Sequence, residues 1–132
     1  DVEGKTKDEI LKNLCRKVEQ EKGLPETFTA SVLKREELTP TDYGNLVALP
    51  HPERAFQERA FVAVAVLKEP IFWFRQKVQV VFLTAIGREE DENLQQFYEA
   101  TTDLILRPAD VQNLIRHPDY DRLIQLLRRA EE

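Results

Sequence analysis

The side chains of this 132-residue chain most apt for nucleophilic or ligand chemistry are two imidazoles, one thiol and one serine hydroxyl: His51, His117, Cys15 and Ser31. His51 stands between Pro50 and Pro52, directly after the short apolar run at residues 46–49. Imidazole is substantially unprotonated near neutral pH and nucleophilic, so it is suited to accept a phosphoryl group. The two prolines fix the backbone on either side and lower the entropy lost on ordering it. The end of a strand in an α/β sheet is also where such folds usually carry their reactive groups. Stiffening of a loop accounts for Pro-His-Pro equally well, and residue types alone leave both readings open.

The other candidates have plainer explanations. His117, in Arg116-His117-Pro118-Asp119, reads as a solvated helix end where an imidazolium meets the negative helix terminus. Two histidines far apart and without a cysteine partner make a weak zinc set. Ser31 falls inside a predicted helix, and no G-x-S-x-G elbow occurs, so a serine–histidine–acid triad has little support. With four glycines in all, there is no phosphate-cradling glycine loop. Cys15 lies on the apolar side of a helix and reads as core rather than as a reactive thiol. Glu36-Glu37 and the acidic run from Glu89 to Glu92 read as solvated faces, and Trp73 as core or edge packing.

Hydrophobic periodicity supplies the elements that would position His51. Ile10, Leu11, Leu14, Cys15 and Val18 form one helical stripe over residues 6–21, which Gly23-Leu24-Pro25 stops. A second helix over 25–37 buries Phe28, Val32 and Leu33. Thr39-Pro40-Thr41 and Gly44-Asn45 read as a loop. Residues 61–67 are too continuously apolar for a strand with one wet face, so a strand covered on both sides and ended by Glu69-Pro70 is expected there. A second strand of the same kind is expected at 78–85. A helix carrying Leu94, Phe97, Leu104 and Ile105 follows, then a short helix from Pro108 and a last one over 120–129. Helices before and after buried strands imply one α/β domain, a mixed sheet sandwiched by helices on both faces.

Composition narrows the function classes. Hydrophobic residues at 42% and charged residues at 33% fit a globular domain, and 132 residues fit one core. The net charge of −5, with basic residues dispersed among acids, argues against direct nucleic-acid binding. An acidic domain is still open to steering toward a basic protein partner. The longest apolar runs fall far short of the roughly 20 residues that span a bilayer. No signal peptide precedes the first helix, so no membrane insertion and a cytoplasmic location are expected. The chain has no methionine, and Asp1 is not a natural start; residues 1–132 are expected to be one domain of a longer protein.

The stretch from Arg35-Glu36 through Leu38, Thr39, Pro40 and Thr41, then Gly44 and Ala48-Leu49-Pro50-His51, resembles the fructose/mannitol-type enzyme IIA family of the sugar phosphotransferase system. Members commonly carry an arginine-acid pair at a helix end, a polar turn, a glycine and A-x-P-H. The resemblance covers nearly the whole chain: a leading helix, two buried strands and a helical C-terminal third. Glu69 to Phe74, running into residues 78–86, is similar to the IIA-like domains of BglG-family transcriptional regulators and antiterminators, which carry duplicated regulatory domains.

That resemblance implies a phosphorelay. The phosphocarrier protein HPr would donate and His51 would accept, with Arg35 stabilising the phosphoryl oxygens through its planar fork. Asn45 and Asn93 would support the site. No metal and no cofactor are implied. In permease members the group passes on to an enzyme IIB; in regulators the phosphorylated histidine reports sugar flux to the other domains of the same protein. Transport members often carry a second histidine where this chain has Asn93, which can donate a hydrogen bond but cannot become cationic. The resemblance therefore implies acceptance at His51 more directly than onward transfer. The regulatory domain is the leading expectation, and a IIA phosphocarrier of a sugar permease the alternative.

Overall fold

A computed structural model describes residues 2–89 and 92–131. The elements run α1 (Lys7–Lys22), α2 (Thr27–Leu38), β1 (Asp42–Gly44), β2 (Leu46–Ala48), β3 (Phe61–Phe72), β4 (Lys77–Ala85), α3 (Glu92–Ile105), α4 (Pro108–Arg116) and α5 (Tyr120–Glu131). Capping chemistry sets the ends of α1. The Thr6 hydroxyl accepts from the Glu9 amide, and Gly23 closes the helix in the left-handed conformation at φ 67°.

The strands form one sheet in the order β1-β2-β4-β3. β2 and β4 are parallel, and the other two pairs are antiparallel. β4 is central and buried along nearly its whole length, as its largely apolar sequence requires. From Val80 onward its side chains alternate between two cores. Val81, Leu83 and Ala85 join Ala48 and the apolar stripes of α1 and α2. Val80 and Phe82 join Val47, Leu49 and the inner faces of α3, α4 and α5. The helices that precede the sheet close one face, and those that follow it close the other.

Two expectations change on meeting the sheet. Residues 42–44 are a strand rather than loop, pairing back onto β2 through a turn of three left-handed residues: Gly44 (φ 111°), Asn45 (50°) and Leu46 (70°). Strand pairing decides residues 42–44; of them, local turn chemistry reads only Gly44 as loop. The stretch at 61–67 is an edge strand, only half-buried, and it continues past Pro70 to Phe72. Proline is tolerated there because the register shifts between Val66 and Ile71, and an edge strand does not need every N–H. Gln79 serves the same irregularity. β2 pairs with Val78 and then Val80, skipping Gln79, whose buried amide donates to the carbonyls of Leu67 (2.8 Å) and Lys68 (3.2 Å).

Cys15 is wholly buried, and burial, then the nearby charge of Glu19, pushes its thiol up to about 12. No helix among the described residues is long and apolar enough to cross a membrane.

Candidate functional site

His51 follows β2 at the end of the sheet where the parallel pair β2/β4 terminates. Hydrogen bonds from three directions hold its loop. Before it, the Leu49 amide donates to the Thr41 carbonyl at 3.1 Å, and the Thr84 amide donates to the Pro50 carbonyl at 3.0 Å. After it, the Glu53 amide donates to Ser31 Oγ on α2 at 2.7 Å. The ring itself is half-buried, with Nδ1 3.3 Å from the Leu49 carbonyl. A carbonyl oxygen only accepts, so this contact favours the proton on Nδ1 and a lone pair on Nε2.

The imidazole opens onto a cleft of about 470 Å³ between β1 and the second half of α3, lined also by Tyr43, Leu49, Tyr98, Thr102, Ile105 and Leu106. Tyr43 and Leu106 stand exposed at its rim. Asn45 ties the floor together: its amide donates to the Ile105 carbonyl, one of the orphan acceptors at the end of α3, while the residue sits in the left-handed region that asparagine tolerates.

The four residues singled out in the sequence divide. His51 is at the cleft, and Asn45 braces the hairpin that forms one wall. Arg35 does not line the cleft; its guanidinium donates to the Thr39 carbonyl at 2.8 Å, closing its own helix. Asn93 is exposed in the first turn of α3 and does not line the cleft either. Residues further along that helix, Tyr98 and Thr102, face His51 instead. Of the acidic run 89–92, Glu90 and Asp91 lie outside the described residues. His117 is the exposed C-cap of α4, its amide donating to the Asn113 carbonyl at 2.9 Å.

Glu36 corrects the reading of Glu36-Glu37 as a solvated face. Glu37 is exposed, but Glu36 is 2% exposed and accepts from three donors. These are the Thr41 amide (2.7 Å), the Thr41 hydroxyl (2.7 Å) and the Trp73 indole N–H (3.1 Å). Next to it, Asp42 Oδ2 accepts the amides of Arg75 (2.9 Å) and Gln76 (3.1 Å). Together these carboxylates fasten the turn between α2 and β1 to the β3–β4 turn, and thereby hold the hairpin that presents His51. Two hydroxyls also matter that residue patterns passed over. Ser31 anchors the backbone after His51. Thr84, fully buried on β4, anchors the backbone before it and accepts from the Tyr98 hydroxyl at 3.1 Å. Among the described residues, no group of three or more His, Cys, Asp or Glu side chains is arranged to hold a metal ion.

Comparison with known proteins places this geometry. Residues 1–130 match the family described as "Phosphoenolpyruvate-dependent sugar phosphotransferase system, EIIA 2". Among curated proteins, the chain is 35% identical over 119 residues to the probable licABCH operon regulator of Bacillus subtilis, covering 90% of this chain and 19% of that protein. It is 32% identical over 97 residues to the transcriptional regulator ManR of the same organism, covering 73% of this chain and 15% of that one. The chain thus spans less than a fifth of the length of these curated relatives. Among solved structures, the fold matches Escherichia coli enzyme IIA for mannitol, determined in complex with phosphorylated enzyme IIB. There the TM-score is 0.77 at 18% identity, over 95% of this chain and 89% of the other. With the family match running over almost every residue and the fold agreeing, the chain belongs to the type-2 EIIA family of the phosphoenolpyruvate-dependent sugar phosphotransferase system.

Proposed function

We propose that this domain accepts a phosphoryl group on Nε2 of His51 from the phosphohistidine of HPr, and that its phosphorylation state governs a transcriptional regulator of sugar genes. The observation that carries the chemistry is the 3.3 Å contact between His51 Nδ1 and the Leu49 carbonyl. It orients the ring and leaves the lone pair of Nε2 for attack on phosphorus. The new N–P bond forms as the donor's N–P bond breaks, and the donor imidazole departs with that electron pair and takes up a proton. Such transfer needs mainly alignment and stabilisation of charge, and a loop pinned by the Thr84 amide and the Ser31 hydroxyl supplies the alignment. Arg35, one residue before the buried Glu36, enters as a cation that reaches phosphoryl oxygens once its bond to the Thr39 carbonyl is released.

The regulatory role is supported by the two curated relatives, both named as regulators. In this reading HPr and the other domains of the same regulator are the partners, and the site of action is the cytoplasm. The test is incubation with phosphoenolpyruvate, enzyme I and HPr. Acid-labile label is expected on the intact domain and absent from His51→Ala; label that persists in the variant sinks the assignment. A second reading, transfer onward to an enzyme IIB, takes its support from the IIA–IIB complex of the same fold. Release of label to added IIB would favour it.

A further inference from the structure

Among the described residues, no lysine or arginine lines the cleft beside His51. A phosphoryl group on Nε2 carries close to two negative charges near neutral pH, and these need donors. Three hydroxyls line the cleft. Thr102 has already committed its proton to the Tyr98 carbonyl at 2.8 Å. Tyr43 stands at the exposed rim. Tyr98 is the half-buried one, and its O–H donates to Thr84 Oγ1 at 3.1 Å. Thr84 in turn donates its amide to the carbonyl of Pro50, the residue before His51, at 3.0 Å. The Tyr98 hydroxyl is therefore two hydrogen bonds from the peptide that carries the histidine, on the wall of the space the phosphoryl group would enter.

We propose that Tyr98 is a ligand of the phosphoryl group on His51, its O–H exchanging Thr84 Oγ1 for a phosphoryl oxygen. The inference rests on the reading of His51 as the acceptor. The exchange is favourable because a hydrogen bond to an ionised oxygen is roughly twice as strong as one to a neutral hydroxyl. A phenol can do this at neutral pH without carrying charge itself. The site would thus gain a neutral donor in addition to Arg35, and Tyr98 would loosen α3 from β4 whenever it turned toward the histidine.

The test is the equilibrium of phosphoryl transfer from phospho-HPr, measured as the labelled fraction at fixed ratios of phospho-HPr to HPr. Tyr98→Phe removes a donor that acts only in the phosphorylated state, so the transfer constant is expected to fall about tenfold or more. Thr84→Val removes the competing acceptor of the unphosphorylated state and is expected to leave the constant unchanged or raise it. Equal constants for Tyr98→Phe and the parent overturn the proposal. So does an equal loss in both variants, which would make the pair a structural tether. A readout needing no substitution is the ring spectrum of Tyr98 by NMR: it should shift on phosphorylation while exposed Tyr120 stays still, and an unmoved Tyr98 overturns the contact. A parent that takes no label, or takes it away from His51, fails at the acceptor assignment and brings the Tyr98 contact down with it.

Discussion

Replacing Glu36 by alanine should cost far more than replacing it by glutamine, and the difference can be worked from its three partners. In Glu36→Ala the Thr41 amide and the Trp73 indole N–H lose their acceptor. Both residues are almost fully buried, so water does not readily take over. Each stranded buried donor costs about 1–3 kcal/mol, and the Thr41 hydroxyl can turn elsewhere, so a loss of about 2–6 kcal/mol is expected. Glutamine keeps one carbonyl oxygen. Placed where Oε2 now lies, that oxygen retains both N–H bonds, while the new amide N–H₂ donates to the Thr41 hydroxyl, which reverses its role. The cost of Glu36→Gln should then stay near 1 kcal/mol. Urea denaturation followed by the fluorescence of Trp73, the single tryptophan, reads both variants at the bond in question. In thermal melts the alanine loss corresponds to roughly 6–30 °C for a domain of this size. Equal losses in the two variants, or an alanine cost below about 1 kcal/mol, would refute the view that Glu36 is held as an acceptor for buried donors.

Two further outcomes follow from the core and the loops. The thiol of Cys15 is raised from 9.0 to about 12. Its contribution to stability is therefore complete below pH 9 and lost as pH rises from there toward the folded value, by about 1.4 kcal/mol per pH unit. Chemical denaturation between pH 9 and 11 should show this slope in the parent and a flatter one in Cys15→Ala; parallel slopes would contradict it. At Gly87, a Cβ would stand 2.3 Å from the Glu58 carbonyl oxygen and 2.5 Å from the Ala60 nitrogen, both backbone atoms that cannot swing aside. Gly87→Ala should cost about 2 kcal/mol or more in denaturant unfolding, and a neutral result would mean that the 58–60 segment yields freely.

The layered architecture was legible in the sequence because its signals are periodic. The stripe of Ile10, Leu11, Leu14, Cys15 and Val18 and the largely apolar run of β4 each announce one face or two. Pairing partners were not legible. Nothing local tells that Asp42, Tyr43 and Gly44 form a strand, since the bonds that make them one come from β2. Pro70 read as a terminator because the rule against proline in strands weakens only at an edge, and edge position is a property of the sheet. At the site, His51 stood out by its prolines and its place after an apolar run. Glu36, Ser31 and Thr84 did not, for a shared reason. Each is a single polar residue whose role depends on a partner distant in sequence: Trp73, Glu53 and Tyr98 respectively. Thr84 was further disguised by lying inside an apolar stretch.

The loop of His51 lies on the seam between two halves of the chain. Ser31, on a helix that precedes the sheet, holds one side of it; Thr84 and Tyr98, on elements that follow, hold the other. Such a seam would make the histidine reciprocal with the helical layers. If a charge on His51 favours one arrangement of α3 against β4 by some factor, then a partner that favours the same arrangement tightens the hold on that charge by the same factor. Neither site needs to touch the other. A protein that grips α3 would thereby set how readily the domain stays phosphorylated, and the affinity of that protein would in turn report the state of His51.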